Sequence, residues 1–210
     1  MNEPFFSVII CTYNRASLLP AALISLSSQI EKDWEAIIVD DGSNDDTFNI
    51  TKGFCNLHTG SHYIYHSHSG LGYSRNRGLF AAKGKYITFL DSDDEYKLEH
   101  LSLRKYFLLE NPNIDLLHGG VEIIGNPFVP DKNDTGKLIH LDECVIGGTF
   151  FVKRGVALKL GGFGEQNYAD DSNFYDAAQK SGYKITKFPY KTYIYHRDTP
   201  DSICNTLIAK

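Results

Sequence analysis

The chain has 210 residues, 42% of them hydrophobic and 22% charged, with a formal net charge of −5 at neutral pH. That length and balance suit one globular domain with its own core. The negative charge and scattered basic residues exclude a nucleic-acid surface, which needs a basic stripe. Cys11, Cys55, Cys144 and Cys204 form no Cys-x-x-Cys pair and read as thiols of a reducing compartment. Asn2-Glu3-Pro4 precedes only a short apolar stretch, unlike a signal peptide, and no run reaches a membrane span. The expected location is therefore the cytoplasm, with no transmembrane segment.

Phe5–Thr12 is a near-continuous apolar run, as a central parallel strand covered on both faces requires. It stops at the polar Thr12-Tyr13-Asn14-Arg15. Ala16–Gln29 reads as a helix with Leu19, Leu23 and Leu26 on one face, provided that Pro20 lies in its first turn. Trp34–Val39 is a second buried strand, ending in Asp40-Asp41-Gly42-Ser43, and a helix opens near Asp45-Asp46-Thr47. His62–His66 is a more polar strand. Ser69-Gly70-Leu71-Gly72 turns the chain into a helix over Tyr73–Ala82. Tyr86–Leu90 is a fourth strand, running straight into Asp91-Ser92-Asp93-Asp94. Strand and helix thus alternate four times, the pattern of a doubly wound, mostly parallel α/β sheet.

After Glu95 the pattern loosens. Leu98–Glu110 is a helix, Ile114–Leu117 and Val121–Ile124 are short strands, and Gly125–Leu141 reads as a loop, mobile or closed over by substrate. Gly147–Lys153 is a strand, Val156–Leu160 a short helix and Asp171–Lys180 a longer one ending at Ser181-Gly182. Ile185–Phe188 and Thr192–His196 are the last strands.

The chemistry sits where strands end. Asp91, Asp93 and Asp94 cannot lie within a buried strand, so they stand at its carboxyl mouth, where open α/β sheets bind ligands. Crowded carboxylates repel unless neutralised, and oxygen donors suit Mg²⁺ or Mn²⁺ bridging to phosphate. The competing reading is a solvated turn with a helix cap. Asp40-Asp41 caps a helix or binds ligand hydroxyls and base nitrogens. Asp170-Asp171 suits a helix start or a general base. Arg75 and Arg77 serve a diphosphate or a surface ion pair. His62, His66 and His68 alternate along one strand, a weak metal signal. His196 ends an aromatic strand beside Arg197. Gly-x-Gly-x-x-Gly and P-loop fingerprints are absent.

Four segments, Ser7–Arg15, Ile37–Asp45, Gly70–Gly78 and Gly84–Asp94, resemble in order and spacing the motifs of glycosyltransferase family 2, which has the GT-A fold, a Rossmann-like single domain. The likeness thins but continues through Gly161-Gly162-Phe163, Asp170-Asp171 and Gly182–Ile185. It implies metal-dependent, inverting transfer of a sugar from a nucleotide diphosphate sugar, a UDP-sugar above all, to an acceptor hydroxyl. The acceptor would be a carbohydrate or lipid-linked molecule of bacterial surface polysaccharide or glycolipid synthesis, with peripheral membrane contact allowed.

The resemblance assigns Thr12, Tyr13, Arg15, Asp40, Asp41, Arg75, Asp91 and Ser92 to the nucleotide, with Asp41 at the base and Arg75 near the base or diphosphate. Asp93, Asp94 and His196 fall to the metal and diphosphate, and Asp171, with Asp170 beside it, to catalysis. Residues 1–95 would form the donor half and 96–210 the acceptor half. Where the family usually has Glu-Asp, this chain has Asp170-Asp171. The alternatives are a nucleotide-binding homologue impaired in catalysis and, less well matched, a nucleotidyltransferase.

Overall fold

A computed structural model describes residues 3–164, 168–199 and 202–208. Its main sheet draws on β1 (Phe6–Thr12), β2 (Trp34–Asp40), β3 (His62–Tyr65) and β4 (Tyr86–Phe89). The helices between them are α1 (Leu19–Ser27), α2 (Thr47–Leu57) and α3 (Leu71–Ala81). Then follow β5 (Glu95–Tyr96), α4 (His100–Glu110), β6 (Leu116–His118), β7 (Val121–Gly125), β8 (Phe128–Pro130) and β9 (Leu138–His140). The remaining elements are β10 (Phe151–Lys153), α5 (Arg154–Lys159), α6 (Asp170–Lys180), β11 (Ile185–Lys187), β12 (Tyr193–Arg197) and α7 (Ile203–Ile208).

Seven strands form the main sheet in the order β3-β2-β1-β4-β10-β6-β11. All run parallel except β10, which is antiparallel to both of its neighbours. The α/β class expected from strand–helix alternation is therefore present. Side chains alternate across a strand, and the apolar runs divide accordingly. Phe6, Val8, Ile10, Ala36 and Ile38 enter one core, and Ile9, Ile37 and Val39 the other. A sheet buried on both faces explains why β1 and β2 show no polar alternation. Pro20 does lie in the first turn of α1, where its missing N–H has no helical partner to lose.

A second sheet, β5-β12-β7, lies beside the first. Its two-residue strand β5 follows the acidic turn immediately and pairs antiparallel with β12 through Ile194 and Glu95. This pairing fixes the last strand against the segment that begins at Asp91.

Three expectations need correction. Gly125–Leu141 is not structureless, because β8 and β9 form a hairpin with Val129 opposite Ile139. Val129 is buried with Leu141 and Ile146, so a few apolar residues anchor a stretch whose composition suggests a loop. The strand expected from Gly147 begins only at Phe151, since Gly147–Thr149 is a 3₁₀ turn. A Cβ on Gly148 would lie 2.2 Å from the Tyr193 hydroxyl, so the glycine admits that ring where a side chain would exclude it. Strand β5 and helix α7 were not anticipated.

Candidate active site

The carboxyl ends of β1, β2 and β4 meet on one edge of the sheet, as parallel pairing demands. Thr12, paired in register with Asp40, is buried, and its Oγ1 has no hydrogen-bond partner. The loop after it is tied to the loop after β2. Asn14 N–H donates to Ser43 Oγ at 2.8 Å, and Asn44 N–H donates to Asn14 Oδ1 at 2.9 Å. Asn14 has φ of 51° and Ala169 φ of 59°, the two left-handed non-glycine residues among those described. One flanks the expected nucleotide loop and the other immediately precedes Asp170. Such conformations cost free energy and cluster where function fixes the backbone.

Asp40 and Asp41 are both buried. Asp40 accepts from Ser43 N–H at 2.7 Å and Tyr63 Oη at 2.6 Å. Asp41 accepts from the N–H groups of Ser69 and Gly70, at 2.6 and 2.9 Å, and has His68 Nδ1 at 2.9 Å. Asp41 therefore holds the turn into α3, and Asp40 ties the loop after β2 to β3. Tyr13, exposed, stacks on His68 with ring centroids 4.2 Å apart. His66 and His68 gather at Asp41, while His62 faces Glu35 at 3.9 Å. The three histidines do not converge on one point.

Arg75 is buried and does not face solvent as a diphosphate clamp. Its Nη1 donates to Asp170 Oδ2 at 2.6 Å and its Nη2 lies 3.5 Å from Asp91 Oδ1. The guanidinium sits over the rings of Phe163 and Phe89, 5.4 and 5.6 Å from their centroids. Burial works against its charge, but Asp170, Asp91 and Asp171 outweigh that and hold its pKa above the ordinary arginine value. Arg77, two residues on and so on the other side of α3, is exposed.

Asp171 is the second residue of α6, where its Oδ2 accepts from Gly147 N–H at 2.8 Å and its Oδ1 from Ser172 N–H at 2.7 Å. Burial raises its pKa; Arg75 opposes and Asp170 adds to the rise. A carboxylate lifted this way is a better proton acceptor near neutral pH than a solvated one. Cys11, at the end of β1, is inert by the same effect, because burial pushes its thiol up to about 12.

Asp94, expected among the metal ligands, is fully buried and points away from the cleft. Its oxygens accept from Tyr193 Oη at 2.7 Å and His196 N–H at 2.8 Å. Asp91 N–H in turn donates to Tyr193 Oη at 3.3 Å. Burial, then Asp91 and Asp93, push the Asp94 pKa well up. Asp94 and Tyr193 thus brace the acidic turn from behind. Sequence reasoning missed Tyr193. Its one signal was the alternation of Tyr193 and Tyr195 on one strand face.

A pocket of about 490 Å³ brings together Arg15, Asp93, Glu95, His196 and Asp198. His196 Nε2 lies 3.1 Å from Glu95 Oε1, and its Nδ1 3.4 Å from Asp198 Oδ1. Ser92, buried, lies between Asp91 and Asp93. Among the described residues no three His, Cys, Asp or Glu side chains are grouped closely enough to hold a metal alone. Such a site still fits Mg²⁺ or Mn²⁺, since these cations take one or two carboxylates and complete their shell with phosphates and water.

The profile described as Glycosyl transferase family 2 matches residues 7–142. The chain is 36% identical over 109 residues to the putative teichuronic acid biosynthesis glycosyltransferase TuaG of Bacillus subtilis, an alignment covering 51% of this chain and 43% of TuaG. It spans less than half the length of the curated relatives compared. Staphylococcus aureus TarS 1-349, solved with UDP-GlcNAc, superimposes with a TM-score of 0.77 at 24% identity, over 91% of this chain and 58% of that one. The Pyrobaculum calidifontis mannosyltransferase, solved with GDP-Man and Mn²⁺, gives 0.72 at 20% identity, over 97% and 59%. The architecture is the GT-A fold that TarS shares. Among the described residues, no helix is long and apolar enough to cross a membrane.

Proposed function

The chain belongs to glycosyl transferase family 2, and on that premise we propose that it moves a sugar from a nucleotide diphosphate sugar to an acceptor hydroxyl with inversion. Residues 1–95 serve the donor and 96–210 the acceptor. The observation that carries this reading is the continuous link Asp91–Arg75–Asp170 beside Asp171. It puts the mouth of β4 and the start of α6 in one charge network.

Thr12, Tyr13 and Arg15 line the nucleotide side, with Asp40 and Asp41 holding the loops around them. Asp171 takes the proton from the acceptor hydroxyl as its oxygen attacks the anomeric carbon. The bond from that carbon to the diphosphate oxygen breaks on the opposite face, and the nucleoside diphosphate departs. Asp93 and His196, together with the donor's diphosphate, would hold a divalent cation, and Asp91 serves the nucleotide. When bound, such a cation offsets negative charge on the leaving diphosphate. TuaG is named for teichuronic acid biosynthesis and TarS was solved with UDP-GlcNAc. These support a UDP-sugar donor and a surface polymer or glycolipid acceptor for this chain.

The experiment is donor consumption by the purified protein across UDP- and GDP-sugars with Mn²⁺. Nucleoside diphosphate release and an inverted anomeric coupling in the product are expected. Turnover of nucleoside triphosphates with pyrophosphate release, or nucleotide binding with no turnover on any donor and acceptor, would overturn the reading.

A further inference from the structure

Parallel pairing brings two more strand ends to the same sheet edge, those of β6 and β11, with His118 and Lys187 facing each other in register. Between them lies a second pocket of about 310 Å³, also lined by Lys191 and Phe188. Cys144 and Ile146 form another wall. Gly147 follows them directly, and its N–H holds Asp171. One wall of the pocket thus continues directly into the segment that holds the proposed base.

Behind Gly119 and Gly120, which line this pocket, sits a cation with no counter-ion among the described residues. Arg104 is fully buried, donates to Gly119 carbonyl oxygen at 2.9 Å and lies over Phe188, 4.4 Å from the ring centroid. A Cβ on Gly120 would stand 3.2 Å from Arg104 Nη2. Its other bonds go to Thr192 Oγ1 and His100, and its Nε has no partner. No carboxylate acts on it, and burial pulls its pKa down to about 9. Among the described residues neither Lys187 nor Lys191 has a carboxylate within 4.0 Å, although Lys191 helps to lower the pKa of Glu122, whose direct partner is Lys97. The one acid lining the pocket, Asp142, is exposed and turned toward His140 Nδ1 at 3.5 Å. Burial, helped by Lys187, pushes His118 down to about 4, leaving a neutral imidazole that can hydrogen-bond. Three cations around one concavity, one of them desolvated, favour a bound anion.

We propose that this pocket receives an anionic group of the acceptor, a phosphate or a carboxylate, while the hydroxyl to be glycosylated lies at Asp171. The assignment rests on the transferase reading for its role, though not for the anion site itself.

Two readouts on wild type and on the double variant Lys187→Glu/Lys191→Glu test it. Both lysines are exposed and lie outside the proposed donor and catalytic residues. With nucleoside diphosphate and Mg²⁺ saturating the cleft, inorganic phosphate should shift the side-chain ammonium resonances of Lys187 and Lys191, whether or not any turnover occurs. Donor consumption is then compared for a neutral alkyl glycoside, its phosphate ester and its uronate. One anionic form should show a KM about tenfold below the neutral one, the scale of a charge-assisted contact. The double variant should lose that advantage with kcat and donor KM unchanged. The phosphate and uronate arms identify the anion. Unmoved lysine resonances, or equal use of neutral and charged acceptors, would overturn the proposal. If the resonances move but no donor is consumed in any arm, the transferase reading fails and the acceptor role falls with it.

Discussion

Arg75 and Asp170, 95 positions apart in sequence, are joined by a 2.6 Å hydrogen bond between buried side chains. Arg75 rides on α3 and Asp170 opens α6, so this one contact ties the first half of the chain to the second. It also sets the field in which Asp171 titrates, because Arg75 lowers and Asp170 raises the neighbouring carboxyl.

Replacing Arg75 by lysine keeps the charge but loses the two-pronged geometry. The variant should fold with a loss of about 1–3 kcal/mol, as for a buried hydrogen bond to a charged group. With a weaker cation nearby, Asp171 should titrate higher, and the acidic limb of the kcat/KM profile should move to higher pH. A limb that stays put, measured over the full profile, would show that Asp171 does not set it.

Asp171→Asn removes the proposed proton acceptor and should cut transfer by about 10²–10⁴-fold while leaving nucleotide affinity intact. It should also change how stability depends on pH. Asp171 titrates above its ordinary 3.8 in the folded chain. Its contribution is therefore fully present below that value and lost as pH rises through the folded one. The melting temperature of Asp171→Asn relative to wild type should rise as the pH is raised above about 3.8, the ordinary carboxyl value. Asp170→Asn should retain more activity than Asp171→Asn; if it is instead the inactive variant, the base has been assigned to the wrong carboxyl.

Tyr193→Phe deletes the hydroxyl that joins Asp94 to the backbone of Asp91. Asp94 then loses a partner at a fully buried position, at a cost of about 1–3 kcal/mol, readable by urea unfolding. Gly148→Ala presses a methyl group onto the same ring and should destabilise by a similar ~1–3 kcal/mol. Gly155→Ala is the control, because nothing lies within 4 Å of its added Cβ; in a helix it should gain about 0.5–1 kcal/mol.

Nucleoside diphosphate should bind more tightly with Mn²⁺ or Mg²⁺, and Asp93→Asn should abolish the increment without weakening metal-free binding. Calorimetry with and without chelator measures both. Equal affinity in the two conditions for wild type would remove the cation from the proposed mechanism.

The first half of the fold was legible because β1, β2 and β4 are each apolar runs that stop at polar residues, and period and punctuation agree there. The edge where Thr12, Asp40 and Asp91 meet follows from parallel pairing alone. What no pattern announced was long-range. Arg75 and Asp170 have ordinary surface-helix identities, and burial of the pair depends on Phe89 and Phe163 closing over it. The acidic run gave no sign of which carboxylates face the cleft. That division depends on β5 pairing with a strand some hundred positions later, which turns Asp94 inward and leaves Asp93 on the pocket.

Among the described residues the β8–β9 hairpin pairs only with itself and shares no ladder with either larger sheet. Its tip between Pro130 and Leu138 can therefore change without shifting the register that aligns β1, β4 and β10, while Val129 stays anchored in its core. Both of its ends, however, lead back to pocket walls, through β7 on one side and Leu141–Ile146 on the other. The hairpin is in effect an exchangeable cassette. If residues 96–210 serve the acceptor as proposed, exchanging that tip between relatives should alter acceptor choice and leave the donor residues untouched.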